Sequence, residues 1–539
     1  MTRYRHLITD DNSKWWTLGA MCFALFMIML DNTIVNVALP SIQEDLGATI
    51  SGLEWTINGY TLSFAVLLAT GGRLGDIFGR RRMFLVGVVI FALSSATAGF
   101  APDQTSLVLS RVVQGIGAAL MMPGTLSIIT DAFPPEERGK AMGTWAGVSA
   151  LALAVGPVLG GFLTEHVSWR AIFYVNIPVA IGAVAATLFA VRESRDTTVG
   201  REVDYAGVAV LTGGLTALVL ALVEGNAWGW GSAEIIALFA AAAIALPAFV
   251  LVENRVKAPM VQFDLLGDRN FLAAVVVAMI ISFAMLGVFF FLALYMQDIL
   301  RYSPLEAGVR FLPSTLMIVA VAPISGRLSD RFGPRWLIAG GLVLVAASLF
   351  SFSQIAVDST YLDLLPGFML LGIGIAMTMS PMTSAAMNAV PVQKAGIASG
   401  VLSMFRMVGG SLGIAVTGAI FQGLVSSRLE TLLGGAGVTA TQQESISDQL
   451  GGGSVPSVPG LDQAQAKEVA AAGNEAFVYA LSHAMTVSAF VVLFGAVVGA
   501  VAIRAKAKTH LSAQAATAEA NPGGEALAAE EAQEAAQPA

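Results

Sequence analysis

The sequence predicts an all-α polytopic membrane protein with fourteen transmembrane helices, arranged as two six-helix halves with two helices inserted between them. Three observations support this fold class: the scarcity of charge, the alternation of basic residues between loops, and an internal repeat. Of the 539 residues, 56% are hydrophobic and 12% are charged, against roughly 25% charged in soluble domains. At about 20 residues per span, fourteen spans occupy about half the chain. This composition excludes a soluble enzyme, a nucleic-acid-binding protein and a receptor with one anchor.

Long apolar runs separated by charged, Gly, Pro and Asn residues define the predicted spans. They lie at 16–39, 54–73, 83–101, 106–129, 140–163, 170–191, 204–223, 233–252, 271–295, 306–326, 336–355, 362–385, 398–424 and 477–503. The first run is too long for the apolar region of a signal peptide, so we take it as a span. The chain therefore divides into an N-terminal half at 16–191, two inserted spans within 204–252, and a C-terminal half at 271–503.

Lys and Arg residues alternate between successive loops, and cytoplasmic loops are the ones that retain positive charge. With residues 1–15 placed in the cytoplasm, 22 of the 29 Lys and Arg residues fall in inner segments and five in outer segments. This asymmetry requires an even number of spans and predicts that both termini are cytoplasmic. The remaining two, Arg111 and Arg406, lie within spans.

Two segments are predicted to lie outside the membrane without fixed structure. Residues 425–476 form an outer loop rich in Gly, Ser and Gln, and such composition is typical of flexible segments. Residues 504–539 form a cytoplasmic tail of mainly Ala, Glu and Gln, which has little apolar surface to bury and is expected to be disordered.

An internal repeat relates the two halves. Gly72 to Arg81, GRLGDIFGRR, recurs as Gly326 to Arg335, GRLSDRFGPR, at an offset of 254 residues. A second similarity, Gly115 to Pro123 against Gly372 to Pro381, has an offset of 257 residues. Both copies of the first segment follow a span that enters the cytoplasm. Duplicated halves around a cavity at the membrane midplane are the architecture of secondary transporters.

Several segments resemble the major facilitator superfamily. Gly72 to Arg81 resembles its cytoplasmic loop motif, and Leu30 to Pro40, LDNTIVNVALP, is similar to the first-helix motif of its fourteen-span drug:proton antiporters. Arg111 to Gly117 and Gly156 to Gly161 resemble the fourth-helix motif and the fifth-helix antiporter motif, and Trp169 to Pro178 fits the same family. The resemblance covers nearly the whole chain in the same order. It implies a multidrug efflux protein, driven by protons, in a bacterial plasma (inner) membrane.

Asp31 is an acid within the first predicted span, roughly 22 Å along it at about 1.5 Å per residue. An ionised carboxylate inside a bilayer costs about 2.5 kcal/mol or more on insertion scales. Arg111 has a compatible depth on the fourth predicted span, so we expect the two side chains to approach across the cavity. The repeat offsets place Met285 and Phe368 at the matching positions, which favours a functional pair over a structural one. The resemblance implies that Asp31 is the proton-coupling acid and that Arg111 modulates it.

The repeated segment is the second candidate site. Its glycines allow close backbone approach and a tight turn, and its acid can bond to backbone donors or arginines of the adjoining half. The resemblance implies a cytoplasmic gate formed by Gly72, Arg73, Gly75, Asp76, Gly79, Arg80, Arg81 and Asp330. A positive cluster that only orients the helix is the alternative. In the fifth predicted span, Gly156, Pro157, Gly160 and Gly161 indicate close packing and a hinge; the connection to export comes from the resemblance alone.

Polar, Met and Phe side chains within spans are candidates for a substrate cavity suited to varied ligands. They are Asn32, Asn36, Asn58, Tyr60, Gln114, Met121, Phe289, Phe290, Met404 and Arg406. For any individual Met or Phe, ordinary packing is the alternative. Arg406 requires a partner or an anionic ligand. Some relatives carry further acids in spans 2 and 10, linked with dicationic drugs, but Asn58 occupies the span 2 position and 311–325 contains no acid. Neutral, monocationic or anionic substrates are therefore favoured.

These features together predict a proton-coupled antiporter that exports lipophilic drugs or antibiotics by alternating access. An exporter of lipids or of an endogenous metabolite is the alternative, and a channel or sensor is a more distant one. An enzyme is disfavoured, because the four histidines are scattered and form no metal-ligand or nucleophile cluster. We predict no cofactor, no metal and no nucleic-acid partner. The expected partners are a lipophilic small molecule, protons and the lipid bilayer, with the protein monomeric.

Overall fold

A computed structural model of the chain describes residues 10–195, 204–256, 259, 261, 263–390, 395–433 and 463–504. The helices of the N-terminal half are α1 (Asp10–Leu46), α2 (Ile50–Phe78), α3 (Arg80–Gly99), α4 (Gln104–Ala132), α5 (Pro135–His166), α6 (Ala171–Tyr174) and α7 (Asn176–Ala190). The inserted helices are α8 (Tyr205–Trp228) and α9 (Ala233–Glu253). The helices of the C-terminal half are α10 (Arg269–Leu294), α11 (Pro304–Arg310), α12 (Leu312–Phe332), α13 (Pro334–Phe352), α14 (Tyr361–Asn388), α15 (Ala395–Leu433) and α16 (Gln463–Ala502).

These helices form the predicted number of spans. The short α6 joins α7 in one apolar segment, Ala171–Ala190, and α11 joins α12 in another, Pro304–Ser329. Within the described residues, 14 helical segments are then long and apolar enough to cross a membrane. The all-helical, fourteen-span prediction is confirmed.

Several helices extend beyond the predicted spans. The first predicted span ends at residue 39, whereas α1 passes through Pro40 and ends at Leu46, because a proline near a helix end removes one backbone hydrogen bond without ending the helix. The predicted outer loop at 425–476 is wrong at both ends, since α15 continues to Leu433 and α16 begins at Gln463. Composition placed both boundaries too close to the membrane.

The two helix extensions stabilise each other outside the predicted spans. Arg428 Nη2 of α15 lies 2.6 Å from Glu475 Oε1 of α16, and Leu429 of α15 and Val469 of α16 are both buried. Mutual packing thus continues both helices through polar sequence. Residues 434–462 of the predicted loop and 505–539 of the predicted tail lie outside the described residues, as do residues 1–9.

The two halves repeat one packing pattern. In the N-terminal half α1 packs against α5, and α4 packs against both α2 and α3. In the C-terminal half α10 packs against α15, and α14 packs against both α12 and α13. The inserted α8 and α9 pack against each other, and α8 also contacts α2 and α15. The sequence repeat is therefore a repeat of helix packing, with the inserted pair beside the line where the halves meet.

The halves meet near one end of the bundle. Because the number of spans is even, the chain enters and leaves at one face, which we call the terminal face, and the other is the opposite face. Near the opposite face, Leu305 N donates to Glu165 Oε2 at 3.1 Å and Gln297 Nε2 donates to Val37 O at 2.9 Å. The helix pairs α2–α15 and α5–α11 form the main contacts between the halves. We call the α2–α15 and α5–α11 contacts together the seam.

Candidate functional site

An ion pair is buried inside the N-terminal half. Arg111 Nη1 of α4 lies 2.5 Å from Asp31 Oδ2 of α1, and the two side chains are 1% and 0% exposed. Arg111 also donates from Nε to Thr56 O of α2 at 3.0 Å. The Tyr60 ring lies 4.3 Å from the guanidinium carbon, a cation–π distance. Asp31 and Arg111 therefore meet, but within the packing of one half rather than across a cavity between the halves.

Amide and hydroxyl groups complete the surroundings of Asp31. Gln114 Nε2 donates to Asp31 Oδ1 at 2.8 Å, and Asn176 Nδ2 of α7 donates to the same oxygen at 3.2 Å. Asn176 and Gln114 both reach Ser95 Oγ of α3, at 3.0 and 3.4 Å. Every helix of the N-terminal half except α5 supplies a group to this network, and the short α6 contributes Phe173 O, which accepts from Ser95 Oγ at 2.9 Å. Such a set holds an ionised carboxylate in place with its charge balanced.

A narrow pocket lies between the halves on the other side of α1. Thr33 and Asn36 line it from α1, Pro157 from α5, and Phe289 and Thr315 from the C-terminal half. At about 100° per residue around a helix, Asp31 and Asn36 differ by about 140°. The same helix therefore presents its acid to the interior of one half and its polar pocket residues to the space between the halves.

Most of the other predicted cavity residues lie elsewhere. Tyr60 and Gln114 belong to the Asp31 network, and Asn58 accepts a hydrogen bond from Ser411 of α15 at 2.7 Å in the seam. Asn32 donates to Ile28 O of its own helix. Met121, Phe290 and Met404 are buried in hydrophobic cores. The structure places these residues outside the pocket, and their part in a substrate cavity stays a prediction. Spans that are apolar on every face carry no periodicity from which their orientation can be predicted.

The predicted gate forms a cluster at the terminal ends of α2, α3 and α4. Arg80 Nε lies 2.9 Å from Asp76 Oδ1, and Arg80 Nη1 lies 2.6 Å from Asp131 Oδ2. Arg81 Nη2 donates to Leu188 O at 3.1 Å, while Arg73 also makes a contact. The cluster ties helices of the N-terminal half to one another. Asp131 was missed in the sequence because it lies outside the repeated segment.

The glycines of the gate have different roles. Gly79 has φ 114 and is the one residue between α2 and α3, and its repeat partner Gly333 has φ 86 between α12 and α13. These backbone angles favour glycine, so the repeat encodes a one-residue turn in each half. A Cβ at Gly72 or Gly75 meets only ordinary contacts of 3.4 Å or more, so the close approach expected there is not observed. The crowded positions are Gly79, where a Cβ would lie 2.6 Å from Glu193 Oε1, and the neighbouring Gly71, where it would collide with Ala119 O. The side chain of Asp330 lies outside the described residues.

The four residues of the fifth-helix motif join three helices. A Cβ on Gly156 collides with Thr33 Oγ1, and one on Gly160 lies 2.7 Å from Ile34 O, both on α1. A Cβ on Gly161 lies 2.6 Å from Leu305 Cα of α11, and one on Gly308 of α11 collides with Pro157 O. Close packing is thus observed, and it connects the helix that carries Asp31 to the seam between the halves.

The sequence profile of the Major Facilitator Superfamily matches residues 21–414. The chain belongs to this superfamily. The tetracenomycin C resistance and export protein of Streptomyces glaucescens is 36% identical to this facilitator, covering 90% of each chain. The puromycin resistance protein of Streptomyces alboniger is 39% identical, covering 78% of this chain and 84% of that one.

A solved structure resembles the facilitator along most of its length. It is a bacterial homologue of the human lysosomal transporter Spinster in an inward-facing and occupied conformation, with a TM-score of 0.62 and 18% identity. The match covers 92% of this chain and 98% of that chain, and at this identity it supports the fold alone. The resemblance stated from the sequence is confirmed. The protein is a multi-pass transporter of the plasma membrane, from a family whose relatives named above are bacterial.

Arg406 differs from the other intramembrane cation of this facilitator. It lies on α15, and its buried Nε makes no hydrogen bond within the described residues. Among those residues, no carboxylate lies within ion-pair distance of it, in contrast to Arg111. Unlike the charge of Arg111, the charge of Arg406 is not balanced by an acid among the described residues, and its contact with an anionic ligand stays a prediction.

Sequence reasoning missed three buried polar residues of the facilitator. Asn176 and Ser95 bond to the Asp31 network, and both stand in apolar helices where a polar residue is itself a signal. Glu54 is 0% exposed on α2. It was overlooked because it starts the second predicted span, where an acid is expected to reach the membrane surface.

Proposed function

We propose that this facilitator is a proton-coupled antiporter that exports lipophilic drugs or antibiotics by alternating access. The observation that carries the proposal is the buried Asp31–Arg111 pair on one side of α1, with the pocket between the halves on the other side. The names of the tetracenomycin C and puromycin relatives support export of antibiotic-like compounds. The basic-residue asymmetry supports a cytoplasmic terminal face, so that the closed seam lies at the outer face.

Coupling follows from the contacts of α1. A proton on Asp31 removes the negative charge that faces Arg111, so α1 and α4 are held less firmly. Displacement of α1 acts directly on α5, because Thr33 and Ile34 touch Gly156 and Gly160. It then reaches the seam, where Gly161 packs on Leu305 of the other half. Proton binding at Asp31 and the relative position of the two halves are thereby coupled through one connected set of helices.

The function is tested by transport in proteoliposomes. A panel of dyes and antibiotics is assayed with an imposed pH gradient, and with the gradient collapsed by an ionophore. A membrane potential contributes about 2.3 kcal/mol per charge per 100 mV, or roughly fifty-fold accumulation per proton. Substrate movement that is unaffected by collapse of the gradient would contradict antiport.

The gate cluster gives a prediction on rate. Asp76→Asn is expected to lower the transport rate about fivefold, equivalent to about 1 kcal/mol, because Arg80 loses a carboxylate that orients it. Substrate affinity should stay within about twofold of the native value, since the pocket is remote. Initial rates measure the effect on transport, and a scintillation proximity assay measures substrate affinity. Glu137→Gln, which breaks the ion pair to Lys14 at the same face, is the control, and an equal loss of rate there would refute a specific gate.

Arg406 gives a prediction on substrate charge. Arg406→Met keeps an unbranched, flexible side chain that can pack where the apolar stem of Arg406 packs, but it removes the cation. Export of anionic members of the panel is expected to fall about tenfold, equivalent to about 1.4 kcal/mol of lost charge-assisted binding, while neutral members are unaffected. Concentration-dependent transport of neutral and anionic dyes measures this. Arg406→Lys should retain part of the anion transport. Equal effects on both classes of dye would reject a role in binding anions.

A further inference from the structure

A second intramembrane acid lies in the seam, away from Asp31. Glu54 of α2 is 0% exposed and faces α15 of the other half. Gln422 Nε2 donates to Glu54 Oε1 at 3.4 Å, while Oε2 makes no hydrogen bond within the described residues. A Cβ on Gly418 would lie 2.6 Å from Glu54 Cδ. The carboxyl group is therefore pressed against the backbone of α15, with no room for a solvent shell.

Among the described residues, the charge that acts on Glu54 is negative. Glu224 of the inserted α8 is close enough for its charge to act on Glu54, and Glu224 itself accepts a hydrogen bond from Trp55 Nε1 at 3.2 Å. The next cation along α15, Arg428, lies about two turns nearer the opposite face and is paired with Glu475. The Asp31 carboxylate is bonded to an arginine and two side-chain amides. The Glu54 carboxyl group accepts one long hydrogen bond and has a second acid nearby.

This environment suits a neutral carboxyl group and penalises an ionised one. A buried carboxylate without a cation or a full set of donors costs several kcal/mol, and a neighbouring carboxylate adds to that cost. The closed seam therefore accommodates Glu54 with a proton attached. When the halves separate at the opposite face, water reaches the carboxyl group and the cost of ionisation disappears.

The inserted pair of helices meets the seam at the same place. Asn226 Nδ2 of α8 donates to Ala419 O of α15 at 2.7 Å, one residue from Gly418. Through Glu224 and Trp55, α8 also bonds to α2. The inserted α8 is thus bound to both halves around Glu54, and separation of the halves must break its contact with one of them.

We propose that Glu54 is a second proton-binding site, which makes closure of the opposite-face seam depend on a proton from the medium at that face. The proton binds the Glu54 carboxylate while the seam is open and stays on it in the closed seam. It returns to the same medium when the seam reopens, so this site transports no net charge. The proposal rests on the alternating access proposed above, and it assigns closure to Glu54 and transport to Asp31.

The test measures the seam directly, without substrate. The full chain carries Cys22→Ser and Asp31→Asn, which remove the native thiol and the other acid, together with Val167→Cys and Val357→Cys. These two positions are exposed, 67% and 40%, in loops of different halves at the opposite face, and spin labels on them report the distance between the halves. Distances are recorded by double electron–electron resonance in lipid nanodiscs across about pH 5 to pH 8.

With Glu54 present, the ratio of closed to open protein is expected to rise as pH falls, by up to about tenfold per pH unit for one proton. Glu54→Gln, a neutral isostere, should stay closed throughout, and Glu54→Asp should restore the pH dependence. Glu224→Gln should weaken the pH dependence, because the loss of one repelling charge lowers the cost of an ionised Glu54 in the closed seam. The matched control is Glu234→Gln, which changes an exposed glutamate of α9. It should show the same pH-dependent distances as the parent protein.

Two results would overturn the proposal: a pH-dependent distance that persists in Glu54→Gln, or a parent protein whose distance does not depend on pH. A Glu54→Gln protein that is always open would also reject it, provided that its thermal unfolding matches the parent. Absence of drug export in the transport assay would leave these distances unchanged. The failure of this proposal and the failure of the proposed function are therefore distinguishable.

Discussion

Asp31→Asn is expected to abolish proton-driven export while leaving exchange of substrate across the membrane. Asn keeps the shape of the side chain and two of its hydrogen bonds but cannot release or bind a proton. Accumulation should then fall from roughly fifty-fold per proton at about 100 mV to the level of protein-free liposomes. The measurement compares uphill export with counterflow driven only by a substrate gradient. Loss of the first with retention of the second identifies Asp31 as the coupling acid.

The control must separate coupling from folding. Asp31→Asn leaves Arg111 buried without its counter-charge, at a cost of about 3–5 kcal/mol, so a combined Asp31→Asn and Arg111→Gln protein is assayed beside it. Asp45→Asn makes the same chemical change on the same helix, where Asp45 pairs with Arg170 at 2.5 Å but is 46% exposed. It should leave export unchanged. Uphill export by Asp31→Asn would overturn the mechanism.

Gly161→Ala is expected to open the seam at the opposite face. The added methyl group would lie 2.6 Å from Leu305 Cα, and backbone atoms at that distance must move apart. Ala is favoured over Gly within a helix by about 1 kcal/mol, so α5 itself is not weakened. In a Cys22→Ser background, Asn36→Cys provides a reporter, since Asn36 is 4% exposed in the closed structure. Its labelling by an impermeant thiol reagent added to intact cells should rise about tenfold, equivalent to about 1.4 kcal/mol, and export should fall.

Gly147→Ala is the matched control for this substitution. Gly147 lies on the same helix, and a Cβ there would meet nothing within 4 Å. Labelling and export should equal those of the parent. If Gly161→Ala also leaves labelling unchanged, the α5–α11 contact does not determine closure, and the route from Asp31 to the seam through α5 is refuted.

Much of the fold was predictable because the bilayer imposes constraints that can be read along the chain. Each span needs an apolar run of a certain length, and basic residues remain on one side, so span number followed from composition and loop charge. Helix ends were less predictable. Ion pairs such as Arg428–Glu475 and the burial of Leu429 and Val469 extend α15 and α16 through polar sequence that composition assigns to a loop.

The candidate site was predictable where a residue type is rare in its setting. Asp31 and Arg111 are charged residues within apolar spans. Their similar predicted depth in the membrane was enough to predict that they pair. Their other partners were not predictable: Asn176 and Ser95 come from α7 and α3, and nothing in their spacing relates them to Asp31. Met121 and Phe290 were assigned to a cavity and are packed in cores, since an apolar helix has no polar face to orient it.

The sequence by itself determined the membrane setting, the fourteen spans, the duplication and the presence of intramembrane charges, because hydrophobicity, loop charge and self-similarity are properties of the linear chain. Only the tertiary structure decided which face of each helix meets which neighbour. That choice separates Asp31, which is balanced by Arg111, from Glu54, which has no cation beside it among the residues that the structure describes. The physical reason is that the cost of a buried charge depends on the groups around it, and those groups come from helices distant in sequence.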